Sequence, residues 1–198
     1  MRYIVHLVLL LTLCASPAFA SDTQLVELIV FRQGGDSLPS SAIAPDLWAD
    51  NATRVSRDMQ RTTQLDYLAR KLTADDGYQV LMHQSWLQHS SDAQATVAIK
   101  AGEAHFNHYP IEGTLAFKLA RNNKVELDLW LNQFNADKTL RSSERFTHQA
   151  TVANEQVTFI DHYPFGALMR IQPQNTQAPK RTNTTNTTNT TNHAAEFE

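Results

Sequence analysis

Gly113-Thr114-Leu115-Ala116-Phe117-Lys118-Leu119-Ala120-Arg121-Asn122-Asn123-Lys124-Val125-Glu126-Leu127-Asp128-Leu129-Trp130-Leu131 is the stretch that decides the fold. Apolar residues alternate with polar or small ones on both sides of a short polar break. Leu115, Phe117 and Leu119 share one face of a strand, and Val125, Leu127, Leu129 and Leu131 share one face of the next. Arg121 to Lys124 reads as the turn, because Asn tolerates the positive φ that tight hairpins need. Two half-buried strands joined this way form an antiparallel pair.

The same period extends outward. Arg145 to Val152 reads as a strand, Asn154-Glu155 as a tight turn, and Gln156 to His162 as the pairing partner. Gly166 to Ile171 finishes the sheet. Upstream, Leu25 to Phe31 is apolar except for Glu27 and ends at Gly34-Gly35. Such a run suits a central strand covered on both faces. Asp36 to Arg61 carries Pro39 and Pro45 and reads as an irregular connection, with Trp48 pinning it to the body. Gln64 to Leu72 places Leu65, Leu68 and Leu72 on one stripe, which predicts a helix capped by Thr62 or Thr63. Tyr78 to Trp86 is the following strand, with Tyr78, Val80, Met82 and Trp86 facing one way. The expected class is α+β: mainly an antiparallel meander with one early amphipathic helix.

The two ends read differently. Residues 1–20 carry one formal charge, Arg2, then an apolar stretch, then Ala18-Phe19-Ala20. This is the pattern of a secretory signal cleaved after Ala20, and the apolar run is too short to span a bilayer. Cleavage removes Cys14, the only cysteine of the 198 residues, so the exported chain builds its stability without disulfides. It leaves 16 basic and 20 acidic residues, a net charge of −4, which argues against nucleic acid or an anionic membrane as the main partner. Residues 175–198 contain an Asn-Thr-Thr repeat with nothing apolar to bury, the composition of a disordered tail. Residues 21–174 remain as a single domain, long enough for a substantial core.

Phe159-Ile160-Asp161-His162-Tyr163-Pro164-Phe165-Gly166 sets an acid beside an imidazole among apolar residues. Adjacent strand residues point to opposite faces, so Asp161 and His162 are poorly placed to pair with each other. The chain has no Gly-x-Ser-x-Gly elbow, and the exported part has no Cys nucleophile. The histidine spacings, including His83/His89 and His105/His108, match no metal motif. No metal and no cofactor is expected. Carbohydrate recognition has more support. Trp48, Trp86 and Trp130, with Tyr78 and Tyr109, are candidate rings for stacking on sugars, although each aromatic is more often packing. Trp130 alternates with Glu126 and Asp128 on the less apolar face, so it is either a platform or covered by another element.

These residues also carry a resemblance. Val26 to Arg32, the isolated Trp48, Gly77 to Gln88, Gly113-Thr114-Leu115, Leu127 to Leu131, and Phe159 to His162 with Phe165-Gly166 resemble the CsiV family in kind and order. The resemblance implies a non-catalytic periplasmic protein that binds peptidoglycan. It also implies a role assisting a class A penicillin-binding protein together with an outer-membrane lipoprotein activator. Ala150 to Glu155 departs from the family's pattern, which is basic before the closing strand. The order Tyr163-Pro164-Phe165 departs as well. Candidate ligand-binding residues are Trp48, Trp86, Trp130, Asp161 and His162. The competing reading is a periplasmic hydrolase that uses Asp161 and His162, and a purely structural envelope protein is a third.

Overall fold

The computed structural model describes residues 23–34, 42–89, 94–120 and 122–174; the expected signal segment and tail lie outside them. The described residues form nine strands: β1 (Thr23–Gln33), β2 (Thr53–Arg54), β3 (Tyr78–His89), β4 (Gln94–Ala101), β5 (Ile111–Lys118), β6 (Asn122–Phe134), β7 (Leu140–Ala153), β8 (Val157–His162) and β9 (Phe165–Gln174). They make two sheets, ordered β3-β1-β9-β8 and β2-β4-β5-β6-β7. Every pairing is antiparallel except the short β2–β4 contact.

One apolar cluster joins the sheets face to face. It takes Val26, Leu28 and Val30 from β1, Leu115 and Phe117 from β5, Val125, Leu127, Leu129 and Leu131 from β6, and Met169 and Ile171 from β9. The alternation read in β5 and β6 is therefore the inward face of a sandwich. β1 lies between β3 and β9 and is buried from Leu25 to Phe31, as its continuous apolarity predicts. Its far side, Ile29 and Phe31, is covered by Leu65.

Four expectations need correction. First, the predicted Gln64–Leu72 helix shrinks to α1 (Asp66–Ala69), so the described residues form a β-sandwich and the amphipathic helix of the expected α+β class is not borne out. Nine residues are too few for a helix to hold itself, so tertiary bonds decide. Here the Glu27 carboxylate takes the N–H groups of Gln64 and Leu65, both at 2.7 Å. Thr63 does not cap; its hydroxyl donates to the Asp66 side chain at 2.7 Å. Past Arg70 the chain breaks into turns around Thr73, whose carbonyl accepts the Asp76 and Tyr78 N–H groups.

Second, β3 does not keep one face. Its register with β1 jumps between Val30↔Met82 and Phe31↔Val80, so Leu81 is an extra residue. This bulge sends Tyr78 and Val80 to the outer cluster and Met82 and Trp86 to the core. Third, β7 and β8 do not pair. Glu155 adopts φ 65° and its N–H donates to Ile171 at 2.8 Å, which steps the chain from one sheet to the other. β8 then pairs with β9 from Val157↔Arg170 to His162↔Phe165. Fourth, Asn122 to Lys124 belong to β6, so the turn starts earlier than predicted. Asn123 still shapes it. Its side-chain oxygen accepts the Ala120 N–H at 3.1 Å, and its amide donates to Asn154 at 2.7 Å.

Candidate functional site

The outer face of the five-stranded sheet carries a shallow groove lined by β5, β6 and β7. Register places its outward residues in rows across β5, β6 and β7: Lys118–Lys124–Thr151, Ala116–Glu126–Gln149, Thr114–Asp128–Thr147 and Glu112–Trp130–Arg145. Six residues separate the first row from the last, roughly 20 Å at about 3.3 Å per residue. A shallow groove of about 420 Å³ occupies the first end, lined by Ala116, Lys118, Lys124, Glu126, Gln149 and Thr151. Ala116 is the smallest of these outward side chains. Ala150 to Glu155 carries no positive charge of its own, yet Lys124 stands directly opposite Thr151 and Lys118 opposite Lys124. The neighbouring strands supply the cations that this end of β7 lacks.

The other end is braced by hydrogen bonds and covered. Arg145 makes two bonds to Asp128, Nε to Oδ1 at 2.8 Å and Nη2 to Oδ2 at 2.7 Å. That carboxylate raises the guanidinium's pKa above its ordinary value. The same guanidinium lies 5.1 Å from the Trp130 ring centroid, a cation–π contact. Trp130 is consequently only 8% exposed, so of the two readings of this residue the covered one holds.

Beside it, Glu112 is fully buried. It accepts from the Asn132 amide at 2.7 Å and the Tyr109 N–H at 2.8 Å, and meets His108 Nδ1 at 2.6 Å. His108 Nε2 faces Asp46 at 3.2 Å. Ser143 donates to Asn132 and receives the Ala44 N–H, which ties the 42–51 loop to β7. A buried carboxylate persists only with such partners. Trp48 is held at this cluster: its indole N–H donates to the Asn107 carbonyl at 3.2 Å, and its ring stands edge-on to Tyr109. Trp48 therefore pins the loop as the sequence suggested.

The remaining predicted residues sit elsewhere. Trp86 is fully buried between the sheets against Phe117, so it presents no surface to a ligand. Asp161 and His162 are on opposite faces of β8. Asp161 is exposed and accepts from Gln33 Nε2 at 2.9 Å. His162 points inward and stacks on Phe146, with ring centroids 5.3 Å apart. Neither approaches Trp48 or Trp130, which belong to the other sheet's outer face. Sequence reasoning missed Glu112, Lys118, Lys124 and Arg145 as a set, because only strand register gathers them. A second buried carboxylate was visible as a clue: Glu27 interrupts an apolar strand. It meets His83 Nε2 at 2.8 Å and receives Arg170 Nη2 at 3.0 Å.

Among curated proteins and solved structures, no match is found. A family model described as "Peptidoglycan-binding protein, CsiV" matches residues 48–174, well over half the chain and all three strands that line the groove. The chain belongs to the CsiV family of peptidoglycan-binding proteins.

Proposed function

We propose that this chain is a non-catalytic periplasmic protein that binds peptidoglycan through the outer face of its five-stranded sheet. In this reading it supports wall synthesis by a class A penicillin-binding protein and its outer-membrane lipoprotein activator. The observation that carries the binding reading is the family match over residues 48–174. Export follows from the signal pattern of residues 1–20. The open groove at one end of this face, with the braced Arg145–Trp130 pair at the other, supplies a surface of suitable extent.

Asp161 and His162 fit structural work better than hydrolysis. One is bonded to Gln33 at the surface and the other is stacked on Phe146, so they do not form an acid–base pair.

The test is co-sedimentation of the exported chain, residues 21–198 and residues 21–174 in parallel, with purified sacculi over a range of salt. Binding by both is expected, and no sedimentation at any salt would defeat the proposal. Soluble muropeptides should not accumulate. If they do, and Asp161→Asn or His162→Gln stops them without loss of fold, the hydrolase reading replaces this one.

A further inference from the structure

We propose that Lys118 and Lys124 form a two-point clamp for the free carboxylates of peptidoglycan stem peptides, with Glu126 facing the peptide's ammonium group; this rests on the wall-binding reading above. Lys118 and Lys124 are directly opposite in the β5–β6 register. Side chains so placed have Cβ atoms about 5 Å apart, and like charges there repel. Both are exposed, and neither has an ion pair or side-chain hydrogen bond among the described residues. The repulsion is thus left standing within an acidic chain of 17 basic and 20 acidic residues. It is relieved when an anion sits between the two ammonium groups.

The rest of the lining narrows the ligand. Glu126 is two residues from Lys124 on the same face and is likewise exposed, so the groove presents two cations and one anion. That pattern complements a zwitterionic peptide with more carboxylates than amines. Ala116 leaves room for a small aliphatic side chain, and Gln149 and Thr151 offer neutral hydrogen bonds to peptide groups. The only aromatic residue in the lining, Phe117, has its side chain buried in the core. The groove therefore lacks the exposed ring that stacks on sugars, which favours the peptide over the glycan.

The experiment measures binding of the exported chain to intact sacculi and to bare glycan strands freed of stem peptides by an amidase. Three proteins are compared: wild type, Lys118→Gln/Lys124→Gln, and the control Lys71→Gln/Lys138→Gln, which changes net charge equally on exposed sites away from the groove. Wild type should bind intact sacculi about tenfold more tightly than bare glycan, a scale set by two exposed ion pairs. The groove variant should bind sacculi about as weakly as wild type binds bare glycan, and the control should match wild type. The groove variant's melting temperature should not fall, since a like-charge pair has been removed. Wild-type affinity in the groove variant, or equal wild-type binding to both polymers, overturns the clamp and leaves wall binding intact. No wild-type binding to either polymer overturns wall binding, and the clamp with it.

Discussion

Replacing Glu27 with Ala tests how the four-stranded sheet holds its cover. The Glu27 carboxylate is fully buried and meets four groups: the N–H of Gln64 and of Leu65, His83 Nε2, and Arg170 Nη2. Each buried polar group left without a partner costs about 1–3 kcal/mol, and breaking a buried charge pair costs about 3–5 kcal/mol. The orphaned groups are not sealed in, however. Gln64 is exposed, and Arg170 keeps a 2.7 Å bond to the Gln64 side chain. Water can therefore reach part of the site, which puts the expected loss at the lower end, about 3 kcal/mol. Urea unfolding reads this loss, with an unchanged m-value if the native state stays compact. Hydrogen exchange should show the Leu65 amide losing protection, because Leu65 is the residue that seals Ile29 and Phe31. Glu27→Gln keeps one acceptor oxygen but turns an amide toward Arg170, so its loss should be intermediate. A Glu27→Ala variant less than about 1 kcal/mol below wild type, with Leu65 still protected, would refute the account.

Two further predictions concern a glycine and an exposed acid. Gly113 has φ +149°, and a Cβ there would lie 2.1 Å from the Asp128 carbonyl oxygen and 2.7 Å from the Leu129 Cα. Gly113→Ala must therefore part β5 from β6, at about 2–6 kcal/mol from strain and overpacking. Thermal unfolding should shift down by at least about 5 °C, and an unchanged midpoint would show that the strands yield freely. Asp137 is held below its ordinary pKa of 3.8, first by the Thr139 hydroxyl and then by the Thr139 N–H. Its stabilising contribution is present above that ordinary value and fades as pH falls through the lowered folded value. An NMR titration should place its midpoint below 3.8 and show Thr139→Val moving it back up; an unmoved midpoint would exclude the hydroxyl as the main cause.

Much of the strand content was legible because alternation is local. Val125, Leu127, Leu129 and Leu131 are buried as the pattern requires, and β1 is central as its apolar run implies. The helix was misread because three leucines at helical spacing say only that one stripe is apolar. Only Leu65 of the three is fully buried, and a carboxylate from β1 takes the N–H groups at the helix start. The β3 faces were misread because the extra residue at Leu81 leaves no mark on composition.

The site follows the same division. Sequence alone established a Cys-poor, mildly acidic chain, its β-rich patterning, and the separation of Asp161 from His162 by strand alternation. These depend on residue identity and on the period of two, which neighbours in the chain carry by themselves. Tertiary structure decided that Trp86 is core, that Trp130 is covered by Arg145, and that β7 and β8 lie in different sheets. It also placed Lys118 opposite Lys124, beside a β7 segment with no cation of its own. Such placements arise from register between strands and from which layer a turn feeds. Both are set by the burial of all nine strands together and by no single stretch of chain.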